Sequence, residues 1–264
     1  MRTAVVTGAS SGIGKATAQL LSSEGWRLLL VARGAERLEA LADELGDASG
    51  VAVDLTDADA PQRVGAAVEE RLGGELHLLV NNAGMARRAA FGDRERGGYR
   101  NVREIMDLNF DAVLRLTEEL LPVLRASAPS SIVNVSSVAG RVARPRSGAY
   151  SASKFALAGW SEALHHEERS QGVHVGLVLP GFIATEGFPQ ADLTAKAATR
   201  WVVSKPEKVA DAIVRAGPGG RHEVVVPRGY RVVPVLRAVA PGLVRRVTGG
   251  LGRGEVGEDA KAQR

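Results

Sequence analysis

A chain of 264 residues in which 45% of side chains are hydrophobic has the apolar content for one α/β domain or two small ones, and this excludes a disordered chain. It has no cysteine, which excludes disulfides and thiolate ligands or nucleophiles and fits a reducing compartment such as the cytoplasm. The net charge of +4 is unevenly placed: residues 1–220 hold 25 basic against 26 acidic side chains, whereas residues 221–253 hold 7 arginines against Glu223 alone, so the basic character belongs to the C-terminal segment.

The first strand-like run, Ala4–Thr7, starts too early to leave room for a signal peptide. It leads into Gly8-Ala9-Ser10-Ser11-Gly12-Ile13-Gly14 and then a helical pattern over Lys15–Ser23. Glycines permit a tight turn. The helix N-terminus offers unpaired N–H groups and the positive end of its dipole to a pyrophosphate. The spacing is G-x-x-x-G-x-G rather than G-x-G-x-x-G. A purely structural turn is therefore the competing reading, against which the strand-turn-helix order weighs. The second run, Arg27–Ala32, ends at Arg33, and Arg37 follows one turn into the helical pattern Ala35–Leu45. A carboxylate at this place accepts from ribose hydroxyls, whereas a guanidinium pairs with a 2′-phosphate. This favours NADP(H) over NAD(H), unless Arg33 is only a solvated surface cation.

The third run, Val51–Asp54, places Asp54 and Leu55 at the strand end, where the carboxylate can bond an adenine amino group or cap the helix Ala58–Arg71. The fourth, Leu76–Asn81, ends in Asn81-Asn82-Ala83-Gly84. Small residues there let adenosine lie against the backbone and amides tie strand ends, though a plain polar turn reads the same way. Gly84–Gly98 is a loop. Asn109 lies in the helix Arg103–Arg125; its amide either holds a water that links Lys154 to solvent or is a structural polar group. The fifth run, Ser131–Ser136, ends beside Ser137, whose hydroxyl can donate to a carbonyl above the sheet edge; Ser136 alternates to the other face.

Tyr150 and Lys154, four apart at the start of the helix Ala149–Gln171, share one face. A free phenol has a pKa of about 10, and lowering it by roughly three requires about 4 kcal/mol. An ammonium about 4 Å away supplies that at an effective dielectric of about 20 but only about 1 kcal/mol in water. The pair is therefore expected to be shielded and the phenol pKa lowered by Lys154.

His174–Leu179 and Glu223–Pro227 complete the strands, with a helix over Pro206–Arg215 between them. The runs are mostly continuous and apolar, as strands buried on both faces read, so a doubly wound α/β fold with a parallel sheet is expected. No apolar run approaches about 18 residues. The five histidines show no metal-ligand spacing, and no metal is expected. Nucleophile-elbow and P-loop motifs are absent from the sequence. After a break at Gly217–Gly220 and the last strand, Tyr230–Arg246 interleaves apolar residues with arginine. It packs on a neighbouring subunit, lies on an anionic membrane surface, or covers the sheet edge; packing within the protein or oligomer is favoured. Pro234 and Pro241 argue against one unbroken helix. With few aromatics among the arginines, nucleic acid is not expected as a partner.

In this order the motifs closely resemble the short-chain dehydrogenase/reductase family over roughly Ala4 to Pro227. Gly8 to Gly14 resembles its cofactor turn and Asn81 to Gly84 its strand-four motif, while Asn109, Ser137, Tyr150 and Lys154 fall where the family keeps its catalytic tetrad. The resemblance implies a three-layer Rossmann fold, with a seven-stranded parallel sheet in the order 3-2-1-4-5-6-7. It also implies a homodimer or homotetramer through Arg103–Arg125 and Ala149–Gln171. Pro180-Gly181 follows the sixth strand; by the resemblance Ile183 bonds the nicotinamide carboxamide through its backbone and Thr185 contacts the carboxamide or phosphates. The implied mechanism is carbonyl polarisation by Ser137 and Tyr150, hydride delivery from the nicotinamide, and proton donation by Tyr150, with Lys154 also holding the ribose. The expected substrate is a small-molecule ketone, aldehyde or alcohol; a non-catalytic NADP-binding regulatory or assembly protein is the alternative. One domain is expected over 1–228, with a short substrate loop at about 186–205, a basic apolar extension over 229–248 and a flexible tail over 249–264. The arginines crowding the stretch before Asn109, and the shortness of the loop, leave the substrate open.

Overall fold

The computed structural model describes residues 1–184 and 203–250. Among them the strands are β1 (Thr3–Thr7), β2 (Arg27–Ala32), β3 (Ala48–Ala52), β4 (Leu78–Asn81), β5 (Ser130–Val135), β6 (Val173–Pro180), β7 (Phe182–Ile183), β8 (Val203–Ser204) and β9 (Glu223–Val226). The helices are α1 (Gly12–Ser23), α2 (Ala35–Leu45), α3 (Ala60–Leu72), α4 (Gly98–Met106), α5 (Ala112–Ala126), α6 (Gly148–Glu168), α7 (Pro206–Ala216), α8 (Val232–Val239) and α9 (Pro241–Gly250). Seven strands form one parallel sheet in the order β3-β2-β1-β4-β5-β6-β9. With β9 as the seventh long strand, this is the expected doubly wound order. The two-residue strands β7 and β8 pair separately just beyond β6.

Strand alternation divides the core in two. Ala4, Val6, Leu28, Leu30, Leu78 and Val80 face one side and pack with α1, α2 and α7. Val5, Leu29, Val31, Leu79 and Ile132 face the other and pack with α3, α5 and α6. Leu28, Leu29 and Leu30 are all fully buried. Each contributes about 1.5–3 kcal/mol relative to an exposed side chain, which is why this stretch reads as a continuous apolar run.

Several boundaries differ from the sequence reading. β3 starts at Ala48 rather than Val51, because pairing with Leu28 to Leu30 recruits the poor strand formers Ala48, Ser49 and Gly50. The helix expected over Arg103–Arg125 begins at Gly98 and contains a π turn over Asp107–Asp111. The C-terminal segment forms two helices that break at Ala240 before Pro241, as the prolines suggested; Pro234 is tolerated in the first turn of α8, where its missing N–H costs nothing. Helix α9 takes in Gly249, which the sequence reading assigned to the tail. Thr185, residues 186–202 of the substrate loop and the tail from 251 lie outside the described residues.

Val232, Val235, Val239, Leu243 and Val247 on α8 and α9 are exposed, so this apolar face is not used to cover the chain's own sheet edge. No helix among the described residues is long and apolar enough to cross a membrane.

Candidate active site

Parallel strands bring their carboxyl ends to one edge, and three of those ends are tied together. The Thr7 hydroxyl donates to the Val80 carbonyl at 3.1 Å and accepts from Asn82 N and Ala83 N at 2.9 and 3.0 Å. The Asn82 amide donates to the Thr7 carbonyl at 2.8 Å. Gly8 N donates to the Val31 carbonyl at 2.8 Å, which locks the turn against the end of β2.

The turn needs its glycines. Gly8 has φ +65°, and a Cβ built there would meet Asn82 Nδ2 at 2.8 Å; one on Gly14 would lie 2.1 Å from the Gly8 carbonyl oxygen. Gly12, φ +53°, opens α1. Ser11 is the extended N-cap residue, but its side chain makes no capping hydrogen bond. The first N–H groups of α1 thus point past half-buried Ser10, Ser11 and Ile13 without a hydroxyl across them.

Arg33, two residues beyond Val31, is exposed and lies 3.9 Å from Asp54. The Asp54 carboxylate accepts from Thr56 N at 3.0 Å and Thr56 Oγ1 at 2.8 Å. The Thr56 backbone bond is the main cause holding its pKa below the ordinary value, with Arg33 helping. Asp54 therefore closes a tight turn and does not cap α3, whose N-cap residue is Asp59. Leu55 is buried and its carbonyl accepts from Arg115 at 3.0 Å.

The catalytic candidates converge between β5, α6 and the end of β6. Tyr150 is half-buried, with the Ser137 hydroxyl near enough to its phenol to favour the ionised form. Ser137 Oγ donates to the Pro180 carbonyl at 3.2 Å and accepts from Ala139 N at 3.1 Å. Its single hydrogen sits in a long bond, so turning it toward a substrate oxygen costs little. Ser136 does turn elsewhere, donating to the Lys154 carbonyl at 2.8 Å. Lys154 is buried and donates from Nζ to the Val135 carbonyl at 2.9 Å. Gly84 lies beside it: a Cβ there would be 3.6 Å from Lys154 Nζ and 3.0 Å from Asn109 Oδ1. Ala83 touches the Gly8 turn on its other side, so the end of β4 joins the turn and the lysine into one cleft.

One expectation needs correction. Lys154 does not lower the Tyr150 pKa. Burial raises it, while the Ser137 hydroxyl and the Arg144 charge oppose the rise. The lysine is itself desolvated, which brings it down to about 8. Its Nζ lies 6.0 Å from the centre of the Tyr150 ring. The Asn109 side chain is held between the loop after β4 and α6. Both its hydrogens are taken, by the Met85 carbonyl at 2.9 Å and Ser153 Oγ at 3.0 Å, while its oxygen accepts from Met85 N at 2.8 Å. Asn109 sits in the π turn, a local widening common near functional sites.

Asn81 also faces away from the cleft. It donates to Asn134 Oδ1 at 2.9 Å and Thr117 Oγ1 at 3.2 Å, and Asn134 donates to Ser161 Oγ at 2.8 Å. This buried ladder crosses from β4 through β5 to α6. Gly181 N donates to the Val226 carbonyl at 2.7 Å, and Ile183 is buried in β7.

Three residues that the sequence did not mark line the same region. Tyr230 lies against Gly181, where a Cβ would be 2.6 Å from its ring. The Arg144 guanidinium lies 4.9 Å from the Phe182 ring centre and acts on both Tyr150 and Tyr230. Only the path of the chain after β5, β6 and β9 brings them here, and no spacing encodes it. The crowded arginines before Asn109 are accounted for in part by ion pairs: Arg87 and Arg100 with Glu104 at 2.6 and 2.8 Å, and Arg103 with Asp111 at 3.3 Å.

The model of the short chain dehydrogenase family matches residues 2–196. The chain is 37% identical over 185 residues to a serine 3-dehydrogenase of Agrobacterium fabrum, covering 70% of this chain and 73% of that one. It is 30% identical over 273 residues to dehydrogenase/reductase SDR family member 7B of Danio rerio, covering 97% and 87%. Among solved structures, a Pseudomonas aeruginosa RhlG/NADP active-site complex superposes with a TM-score of 0.76 at 31% identity, covering 87% of this chain and 96% of that one.

Proposed function

The chain belongs to the short chain dehydrogenase family, and on that premise we propose that it interconverts a small or medium-sized ketone or aldehyde and its alcohol, using NADP(H) and Tyr150 as acid and base. The observation that carries this reading is the approach of the Tyr150 phenol and the Ser137 hydroxyl one helical turn from buried Lys154, in the cleft that begins at the Gly8 turn. A substrate oxygen placed beside both hydroxyls is polarised by two donors, and Tyr150 is the one positioned to pass it a proton.

The residues fit a dinucleotide. The uncapped first turn of α1 suits a pyrophosphate, and Arg33 at the end of β2 suits a 2′-phosphate. Gly8, Ser10, Ser11, Gly12, Ile13 and Gly14 would hold the phosphates; Asp54, Leu55, Ala83 and Gly84 would flank the adenosine side. Pro180, Gly181 and the Ile183 backbone would border the nicotinamide, and Lys154 would bond its ribose. The chemistry such a cofactor supplies when bound is hydride exchange at the nicotinamide ring. The RhlG neighbour is a complex with NADP, which favours the same cofactor here.

We place the reaction in the cytoplasm, in a homodimer or homotetramer. The open apolar face of α8 and α9 favours packing on a neighbouring subunit, which mass measurement in solution tests. The activity is tested by loss of NADPH absorbance across a panel of carbonyl compounds. Tight NADPH binding with no turnover on any of them would support a regulatory or assembly protein instead.

A further inference from the structure

At the sheet edge opposite Tyr150, the fold assembles three imidazoles that are distant in sequence. His165 lies near the end of α6, His174 near the start of β6, and His222 immediately before β9. The ring centres are 5.4 Å apart for His165 and His174, 4.1 Å for His165 and His222, and 5.5 Å for His174 and His222. One ring nitrogen from each lies within 4.8 Å of the others. The sequence reading, which looked for local spacing, found no such group.

Hydrogen bonds decide which nitrogens are available. His165 Nδ1 is 3.1 Å from the Val175 carbonyl, and His174 Nε2 is 2.8 Å from the Ala216 carbonyl. A carbonyl oxygen only accepts, so those two nitrogens carry the hydrogens and donate them. Each neutral ring then presents a lone pair on its other nitrogen, Nε2 of His165 and Nδ1 of His174. A backbone carbonyl that fixes the tautomer in this way is the usual support of a metal-binding imidazole. His222 is exposed and closes the group from the solvent side.

We propose that His165, His174 and His222 bind a divalent transition metal of the zinc class. Tetrahedral Zn–N bonds of about 2.0–2.1 Å place ligand nitrogens about 3.4 Å apart, so a small swing of exposed His222 closes the site. Three imidazoles without a carboxylate suit Zn²⁺, Co²⁺, Ni²⁺ or Cu²⁺ and not Mg²⁺ or Ca²⁺. The six residue steps of β6 from His174 to Pro180 span about 20 Å, so this metal stands apart from the reacting atoms. Its action is to clamp the end of α6, the start of β6 and the approach to β9.

The test uses the full chain without an affinity tag. Co²⁺ is titrated near neutral pH and followed by its visible absorption, and thermal unfolding is measured with and without Zn²⁺. One Co²⁺ per chain with tetrahedral bands is expected, together with a Tm rise of roughly 5–10 °C at a hundredfold excess of Zn²⁺ over Kd. His222→Ala removes an exposed side chain and leaves the fold intact; it should lose both signals. His166→Ala, whose ring neighbours His165 at 5.5 Å, should keep them. No Co²⁺ bands in the unaltered chain, or unchanged binding in His222→Ala, would overturn the proposal, as would equal loss in His166→Ala.

Discussion

Lys154 Nζ stands 6.0 Å from the centre of the Tyr150 ring, one turn along the same helix, and donates to the Val135 carbonyl at 2.9 Å. Burial acts on the two groups in opposite directions, moving the lysine down to about 8 and the phenol up. Near neutral pH the site therefore holds an ammonium and an intact phenol, the protonation state that carbonyl reduction requires.

This sets the pH dependence of the free enzyme. For reduction, kcat/KM should be level below about pH 8 and decline above it as Lys154 loses its proton. Alcohol oxidation should instead gain as the pH rises toward ionisation of Tyr150. Initial rates in both directions over a range of buffers check this; a reduction rate that climbs through pH 8 to 10 contradicts it.

The same lysine lowers stability. Its folded value lies below the ordinary 10.5, so between about 8 and 10.5 the unfolded chain binds the additional proton and stability rises with pH across that window. Below about 8 the full cost of burying the charge, about 3 kcal/mol, is present. Lys154→Met should abolish turnover yet unfold at the same or a higher Tm at pH 7, and scanning calorimetry decides it.

Tyr150→Phe removes one oxygen from a half-buried ring. Turnover should fall by about 10²–10⁴, with NADPH affinity and Tm nearly unchanged, as measured by steady-state kinetics and fluorescence titration. Substantial residual activity would mean that another group supplies the proton.

Arg33→Asp replaces a cation with a second carboxylate facing Asp54. NADPH affinity should drop roughly 10–100-fold, the equivalent of about 1.5–3 kcal/mol for a charge-assisted contact, while NADH affinity holds or improves. An unchanged preference would remove Arg33 from the cofactor site.

Gly14→Ala would push a methyl to within 2.1 Å of the Gly8 carbonyl oxygen, which is backbone and cannot swing aside. A loss of about 1–3 kcal/mol in denaturant unfolding is expected, along with weakened dinucleotide binding. A variant as stable as the original chain would show that the turn is looser than its geometry implies.

The sheet was legible because most of its strands are continuous apolar runs and the crossovers are helical. Tyr150, Lys154, Ser137 and the glycine turn were legible because their spacing lies within single elements or element junctions. What escaped the sequence depends on where distant segments meet. Asn81 and Asn82 read alike, yet only tertiary pairing sends one into the Asn134 ladder and the other against Gly8. Arg144, Phe182 and Tyr230 have no shared spacing, and the three histidines come from three separate elements. The direction of the Tyr150 shift was misjudged because desolvation is set by packing, not by the i to i+4 interval.

The hydrogen-bonded chain from Asn81 through Asn134 to Ser161 anchors the catalytic helix from behind, on the side turned away from the cleft. In the proposed reaction, the alignment of Tyr150 for proton transfer would thereby be uncoupled from Phe182 and Tyr230 at the end of β6. An engineer could replace Phe182 or Tyr230 to recast selectivity and inherit the Tyr150–Ser137 alignment without retuning it.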